Sequence, residues 1–172
     1  MLARLTQLEA VCTAAGHLAK AVEEAFPRHP DAEIMLSLPG FRVQLAARIL
    51  AEIGDNRPRF VDAHGLKAYA SLSPVTRASG KKSSITGRWV RNDRLNHAGY
   101  LWACASLRAS AGAIAHQRQR RREHGDWHLV AQRNLVNRMI GKLCHCLHYR
   151  KLFDEHTAFP PTWLPPLDGI AT

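Results

Sequence analysis

A chain of 172 residues is long enough for one domain with a short appended element, and 46% hydrophobic residues supply a core, which excludes a disordered tail. Against 14 Asp and Glu stand 24 Lys and Arg, a formal charge of +10 that points to nucleic acid or another anionic surface and says nothing about fold. Apolar runs are short and interrupted and the N-terminal segment lacks a signal peptide's apolar stretch, so neither a membrane span nor secretion is expected and the expected compartment is the cytoplasm.

The first element predicted is a helix over residues 2–26. Leu5, Leu8, Cys12, Ala15, Ala19, Val22 and Phe26 follow at alternating steps of three and four, which is the a/d seam of a coiled coil. Several seam residues are small, so the seam is weak alone and a partner helix is expected. Pro27 and Pro30 end it. Met1 falls inside the seam, so a preceding segment is expected. Residues 1–28 therefore read as the end of a coiled-coil helix.

Residues 31–55 read as helix, turn, helix. Asp31 is the expected cap of the first helix and Leu38-Pro39-Gly40-Phe41 the break. Val43, Ala46, Ala47, Leu50 and Ile53 then share one face until Gly54. This layout is that of a helix-hairpin-helix, in which a glycine at the turn lets backbone approach a DNA phosphate. Gly40 is the candidate contact. A plain helical hairpin, with Gly40 serving only the turn, is the other reading of the same residues.

After a Pro-containing link, residues 62–72 suit a short helix with Leu66, Tyr69 and Ala70 inward. Arg94 to about Ala115 becomes helical again through Leu95, Ala98, Leu101, Trp102, Ala105 and Leu107. Gly112 and the run HQRQRRREHGD read as a polar turn or an exposed helix end. Trp127 to His148 is the last strong helix, and residues 151–172 read as a Pro-rich tail. No stretch alternates as strands do, so the fold class expected is mainly α, with a compact body over residues 31–150.

The segment between the short helix and Leu95 is polar, basic and punctuated by glycine, reads as a loop, and carries the chemistry. From Arg77 to Arg94 it holds Arg77, Lys81, Lys82, Arg88, Arg91 and Arg94 with a single acid, Asp93, four Ser/Thr hydroxyls and two glycines. Flexible cations with small hydroxyl donors suit a phosphodiester backbone, where each neutralised phosphate releases counterions. Ser79 sits among these cations beside Gly80. It reads either as a nucleophile toward phosphorus or as one more phosphate hydrogen-bond donor, and on the residues alone the second is favoured, because no activating base is close in sequence.

Cys144 and Cys146 lie in LCHCLHYR with His145 and His148. Helix positions two apart diverge and no further CxxC or HxxxH completes four ligands, so buried thiols are expected there in preference to zinc.

Taken together, the ordered blocks LSLPGFRVQLAARILAEIGD, RF-x-x-A-x-x-L-x-x-YASL-x-P, RASGKK, VRNDRL and LVNRMIGKLCHCL followed by YRKLFDEHTAF resemble the C-terminal half of the insertion-sequence-110 (IS116/IS110/IS902) family of transposases. The resemblance covers residues 30–159. It implies a helical transposase domain in which Ser79 is the catalytic serine. It also implies an N-terminal RNase-H-like domain with an acidic tetrad, which this chain lacks, so Mg2+ is expected only with that domain and no cofactor in this chain. DNA is the implied partner, with a guide RNA, and with a second copy or a full-length transposase joined through residues 2–26. A bacterial, nucleoid-associated protein follows. Two functions stand on this reading. One is a DNA transposase or recombinase domain, inactive alone, with Ser79 as nucleophile. The other is a non-catalytic nucleic-acid-binding or oligomerisation module left from a truncated transposase.

Overall fold

Leu2–Ala25 forms a single helix, α1, none of whose residues is buried. The computed structural model describes residues 2–73, 75–80 and 82–160, without the side chains of Arg57, Thr76, Arg77, Lys82, Ser83 and Ile85. The seam along α1 meets the body only at its C-terminal end. Leu5 and Leu8 are exposed, Ala19 and Val22 are half-buried, and Phe26 is buried in the turn that follows. Gln44 fastens this end by donating to the Ala19 carbonyl at 2.7 Å.

The body is helical. Its further helices are α2 (Ala32–Ser37), α3 (Val43–Ile53), α4 (Ala63–Tyr69), α5 (Asp93–Ala109), α6 (Ala111–Glu123), α7 (His128–Tyr149) and α8 (Glu155–Ala158). The core is centred on α7, whose Leu135, Val136, Met139, Ile140, Leu143 and Leu147 recur at steps of one, three and four and are all buried. The helices α4, α5 and α6 pack against it. From α3 come Ala46, Ile49, Leu50 and Ile53, and from α5 Leu95, Ala98 and Trp102. Each fully buried large side chain of this set contributes roughly 1.5–3 kcal/mol.

Three sequence expectations change. The basic segment is not an irregular loop: Val75–Ser79 (β1) and Lys82–Thr86 (β2) pair antiparallel, from Val75 opposite Thr86 to Ser79 opposite Lys82. The β-branched residues Val75, Thr76, Ile85 and Thr86 sit at matched positions, and Gly80, directly after β1, has φ +56°, the positive φ that tight hairpin turns require. The fold remains mainly α.

Of the two readings of the Arg-rich run, the exposed helix end holds and the polar turn falls. The helix is α6, separated from α5 by one residue, Ser110, whose hydroxyl accepts from Ala113 N–H at 2.9 Å as the N-cap. Gly112, Ala113, Ala115 and His116 face inward, while Arg118, Arg121 and Arg122 are exposed and Arg120 is half-buried.

Asp31 begins α2 without a side-chain cap bond. Its buried carboxylate instead accepts from the Arg150 guanidinium at the end of α7, and Arg150 also donates to the Pro30 carbonyl at 2.9 Å.

Residues 151–160 belong to the body. Asp154 caps α8 through the Thr157 and His156 amides, Phe159 is buried against Gly112, and Arg138 donates to the Ala158 carbonyl from Nε at 2.9 Å. Residues 161–172, the rest of the expected tail, lie outside the described residues.

Candidate nucleic-acid interface

The hairpin is anchored at its base and open at its tip. On the entry side Ser71 adopts φ 60°, closing α4 in the left-handed conformation, and its carbonyl accepts from Arg133 of α7 at 3.0 Å. Asn96 donates to the Ala70 carbonyl at 2.8 Å, and Arg88 Nε to the Ser73 carbonyl at 3.2 Å. On the exit side Asn92 caps α5 by accepting from Leu95 N–H at 2.9 Å. Its amide nitrogen donates to Glu52 of α3 at 2.7 Å and to the Tyr69 hydroxyl of α4 at 2.8 Å. Four helices, α3, α4, α5 and α7, therefore hold the two ends of the hairpin. No described side chain within the hairpin is buried.

Ser79 ends β1 and is exposed. Its cross-strand partner is Lys82, and Arg77 pairs with Ser84 two positions back. The strand period of two puts positions 77, 79, 82 and 84 on one side of the hairpin. Gly80 has open space around it. Lys81 and the side chains of Arg77 and Lys82 lie outside the described residues. Ser79 Oγ makes no hydrogen bond to a described residue. From Ala63 to Asn92 the sequence holds no Asp or Glu, so the cations of the hairpin face no carboxylate within their own segment.

The outer cations are more tempered. Arg91 Nε contacts Asp93 at 2.5 Å, and Arg94 lies 3.9 Å from Glu52. Arg88 is half-buried and held by a neutral carbonyl, which orients its charge without cancelling it. Next to it Trp89 and Val90 are almost fully exposed.

Gly40 sits elsewhere. It has φ +80° in the turn between α2 and α3, and a Cβ there would stand 2.5 Å from Ser106 N of α5. Trp102 donates to the Pro39 carbonyl at 2.9 Å and stacks on Phe41 at 4.2 Å between ring centroids. The absence of a side chain at Gly40 is used to seat the turn on α5. At the start of α3, Arg42 supplies no side-chain cap.

Sequence reasoning missed Asn92, Glu52, Tyr69 and Arg133, which fix the hairpin. The one local signal was Asn92-Asp93 before an apolar-periodic stretch, an N-cap pattern.

Burial pushes the Cys146 thiol up, and Cys144 is half-buried. Among the described residues no three His, Cys, Asp or Glu side chains are placed to hold one metal ion. No described helix is long and apolar enough to cross a membrane.

Comparison with known proteins identifies the group to which this arrangement belongs. Residues 32–122, more than half of the chain, match the family described as "Transposase IS116/IS110/IS902 family". The match runs from the start of α2 to the end of α6 and encloses the hairpin. The chain is 60% identical over 161 residues to a mini-circle putative transposase for IS117 of Streptomyces coelicolor (strain ATCC BAA-471 / A3(2) / M145), covering 94% of this chain and 39% of that protein. It is 38% identical over 163 residues to an uncharacterized 42 kDa protein of insertion element IS900 from Mycobacterium paratuberculosis, again 94% of this chain and 39% of that protein. An uncharacterized 43.6 kDa protein of insertion element IS110, also from Streptomyces coelicolor, is 33% identical over 118 residues, 67% of this chain and 28% of that protein. The chain thus spans about two fifths or less of these curated relatives. It belongs to the IS116/IS110/IS902 family of transposases.

Proposed function

We propose that this chain is the DNA-binding part of a transposase, that the β1–β2 hairpin is the element laid against DNA, and that Ser79 is the nucleophile of strand cleavage and exchange. The observation that carries the reading is the placement of Ser79 at the exposed tip of a hairpin whose base is bolted to α3, α4, α5 and α7. The flanking cations of its own segment supply sequence-independent phosphate attraction. In the step proposed, the bond from Ser79 Oγ to phosphorus forms as the bond from phosphorus to a sugar oxygen breaks. The serine proton passes to an acceptor and the leaving oxygen takes one up. Ser79 makes no hydrogen bond to an acceptor among the described residues; in this reading another part of the transposase supplies the activating group, and this chain alone binds DNA without cutting it.

Pairing through α1 accompanies this reading. Leu5 and Leu8 of the seam are exposed, and Val11 and Leu18 beside it widen the apolar strip. A second copy, or a longer transposase carrying the same helix, would cover them. A guide RNA and a cytoplasmic, nucleoid-associated place in a bacterial cell follow from the family resemblance.

The test is an assay for a covalent protein–DNA adduct. This chain is mixed with a full-length transposase of the family whose own serine has been removed, and labelled substrate DNA is run on a denaturing gel. An adduct that disappears with Ser79→Ala is the expected result. An adduct that survives Ser79→Ala overturns the nucleophile assignment.

A further inference from the structure

A cleft of about 790 Å³ opens between α4, α6 and α7, and it shares no lining residue with the hairpin or with the α2–α3 turn. Its floor is a stripe along α7 from Asn134 to Tyr149, a span of about 22 Å at 1.5 Å per residue. Four cations line it: Lys67 from α4, Arg120 from α6, and Arg138 and Lys142 from α7. Lys67 reaches α7 at Gly141, where α4 packs on it. A Cβ on Gly141 would stand 3.1 Å from Lys67 Nζ, and Arg138 and Lys142 flank Gly141 on the same helix.

The partners of these cations differ. Arg120 is matched by Asp126 at 2.6 Å. Arg138 is oriented by the Ala158 carbonyl and lies over the Phe159 ring. Lys142 Nζ donates to the neutral Thr157 carbonyl at 3.1 Å. Neither Lys67 nor Lys142 has a carboxylate partner among the described residues. The one acid lining the cleft, Asp62, accepts from Gly65 N–H as the cap of α4. Lys67 and Lys142 therefore bring positive charge to a concave site with no carboxylate partner among the described residues. The buried His116 imidazole at the α6 wall reports the same field: burial, then Arg138 and Arg120, lower its pKa to about 4.

One end of the cleft is aromatic. His145 and His148 each pack on Tyr149, with ring centroids 4.6 and 4.9 Å apart, and all three side chains are exposed. Cations along a groove followed by exposed rings is the arrangement that holds an unpaired strand, phosphates on the charges and bases on the rings. The volume is that of a small-ligand cleft.

We propose that this cleft binds a single-stranded segment of nucleic acid, with its phosphates on Lys67, Arg138 and Lys142 and its bases against His145, His148 and Tyr149. The proposal rests on the reading that the chain binds nucleic acid, and adds a second site for a different form of it.

The experiment compares fluorescently labelled single strands of about 12 nucleotides with the duplex of the same sequence, by anisotropy across a salt series. The chains compared are the unmodified one, the cleft variant Lys67→Gln/Lys142→Gln, and the hairpin variant Lys81→Ala/Lys82→Ala. The cleft variant should lose at least about tenfold in single-strand affinity, with its salt slope flattened by about 1.4, and keep its duplex affinity. The unmodified chain, irradiated with a 5-bromouracil-substituted single strand, should crosslink within the tryptic peptide covering residues 143–150. That readout needs no variant to fold. Deoxy and ribo arms of the same sequence are run in parallel, and loss in either arm supports the site and names its strand. Single-strand affinity unchanged in the cleft variant, an equal fall for strand and duplex, or crosslinks only outside residues 143–150 would overturn the proposal. If the duplex still binds and responds to the hairpin variant, only the cleft assignment falls. If the unmodified chain binds neither form, the reading of the hairpin falls as well.

Discussion

Gly40 and Ser106 are in backbone contact: a β-carbon on Gly40 would lie 2.5 Å from the Ser106 amide nitrogen and 2.9 Å from its Cα. The turn between α2 and α3 is thus pressed onto α5, with Trp102 of that helix stacked on Phe41 and bonded to the Pro39 carbonyl. Gly40→Ala meets immovable backbone and places alanine at φ +80°. The expected loss of stability is about 3 kcal/mol or more. Urea unfolding measures it, and the folded fraction should retain its DNA affinity. A Gly40→Ala chain of normal stability with weakened DNA binding would instead place a phosphate at this turn.

His116 makes stability depend on pH. Its folded pKa of about 4 lies below the ordinary histidine value of 6.5, so between these values the unfolded chain binds the proton and the folded chain does not. The contribution is complete above pH 6.5 and is lost as pH falls toward 4, by an amount on the order of 2 kcal/mol. Unfolding free energies at pH 7 and pH 5 should differ less in His116→Gln than in the unmodified chain. An identical difference would show that His116 does not titrate in this range.

The Asp31–Arg150 pair joins the start of α2 to the end of α7. Asp31 is almost fully buried, so Arg150→Ala leaves a carboxylate without its guanidinium, at an expected loss of about 3 kcal/mol. Adding Asp31→Asn should recover part of that loss, because the buried side chain then carries no charge. A double-mutant cycle of urea midpoints checks this, and strict additivity would count against the pair.

Much of the helical frame was legible because apolar residues repeat at steps of three and four in α3, α5 and α7. The hairpin was not, since its faces differ in polar and small residues and no buried stripe marks one of them. The α6 helix hid behind an outer face of Arg and Gln and an inner one of Gly, Ala and His, where close packing needs small residues and hydropathy gives no contrast. The docking of residues 155–159 depends on Arg138 and Gly112, partners distant in sequence. The same limit applies at the candidate site. Ser79 and its cations stood out in composition, whereas Glu52 and Tyr69 reach Asn92 across 40 and 23 positions, and nothing local announces such contacts.

Ser79→Ala should leave the fold intact, since the side chain is exposed and makes no hydrogen bond to a described residue. DNA affinity should change by no more than one neutral hydrogen bond, about 1 kcal/mol. Thermal unfolding and equilibrium binding check both. A large drop in stability would assign Ser79 a structural role.

The hairpin's role as the DNA-contacting element is tested most directly by the salt dependence of duplex binding by this chain. With on the order of four phosphate contacts, log affinity should fall against log salt with a slope of about −3 to −4. Lys81→Ala/Lys82→Ala should flatten that slope by about one to two units. A slope near zero, or one unchanged in the Lys81→Ala/Lys82→Ala chain, would contradict the assignment.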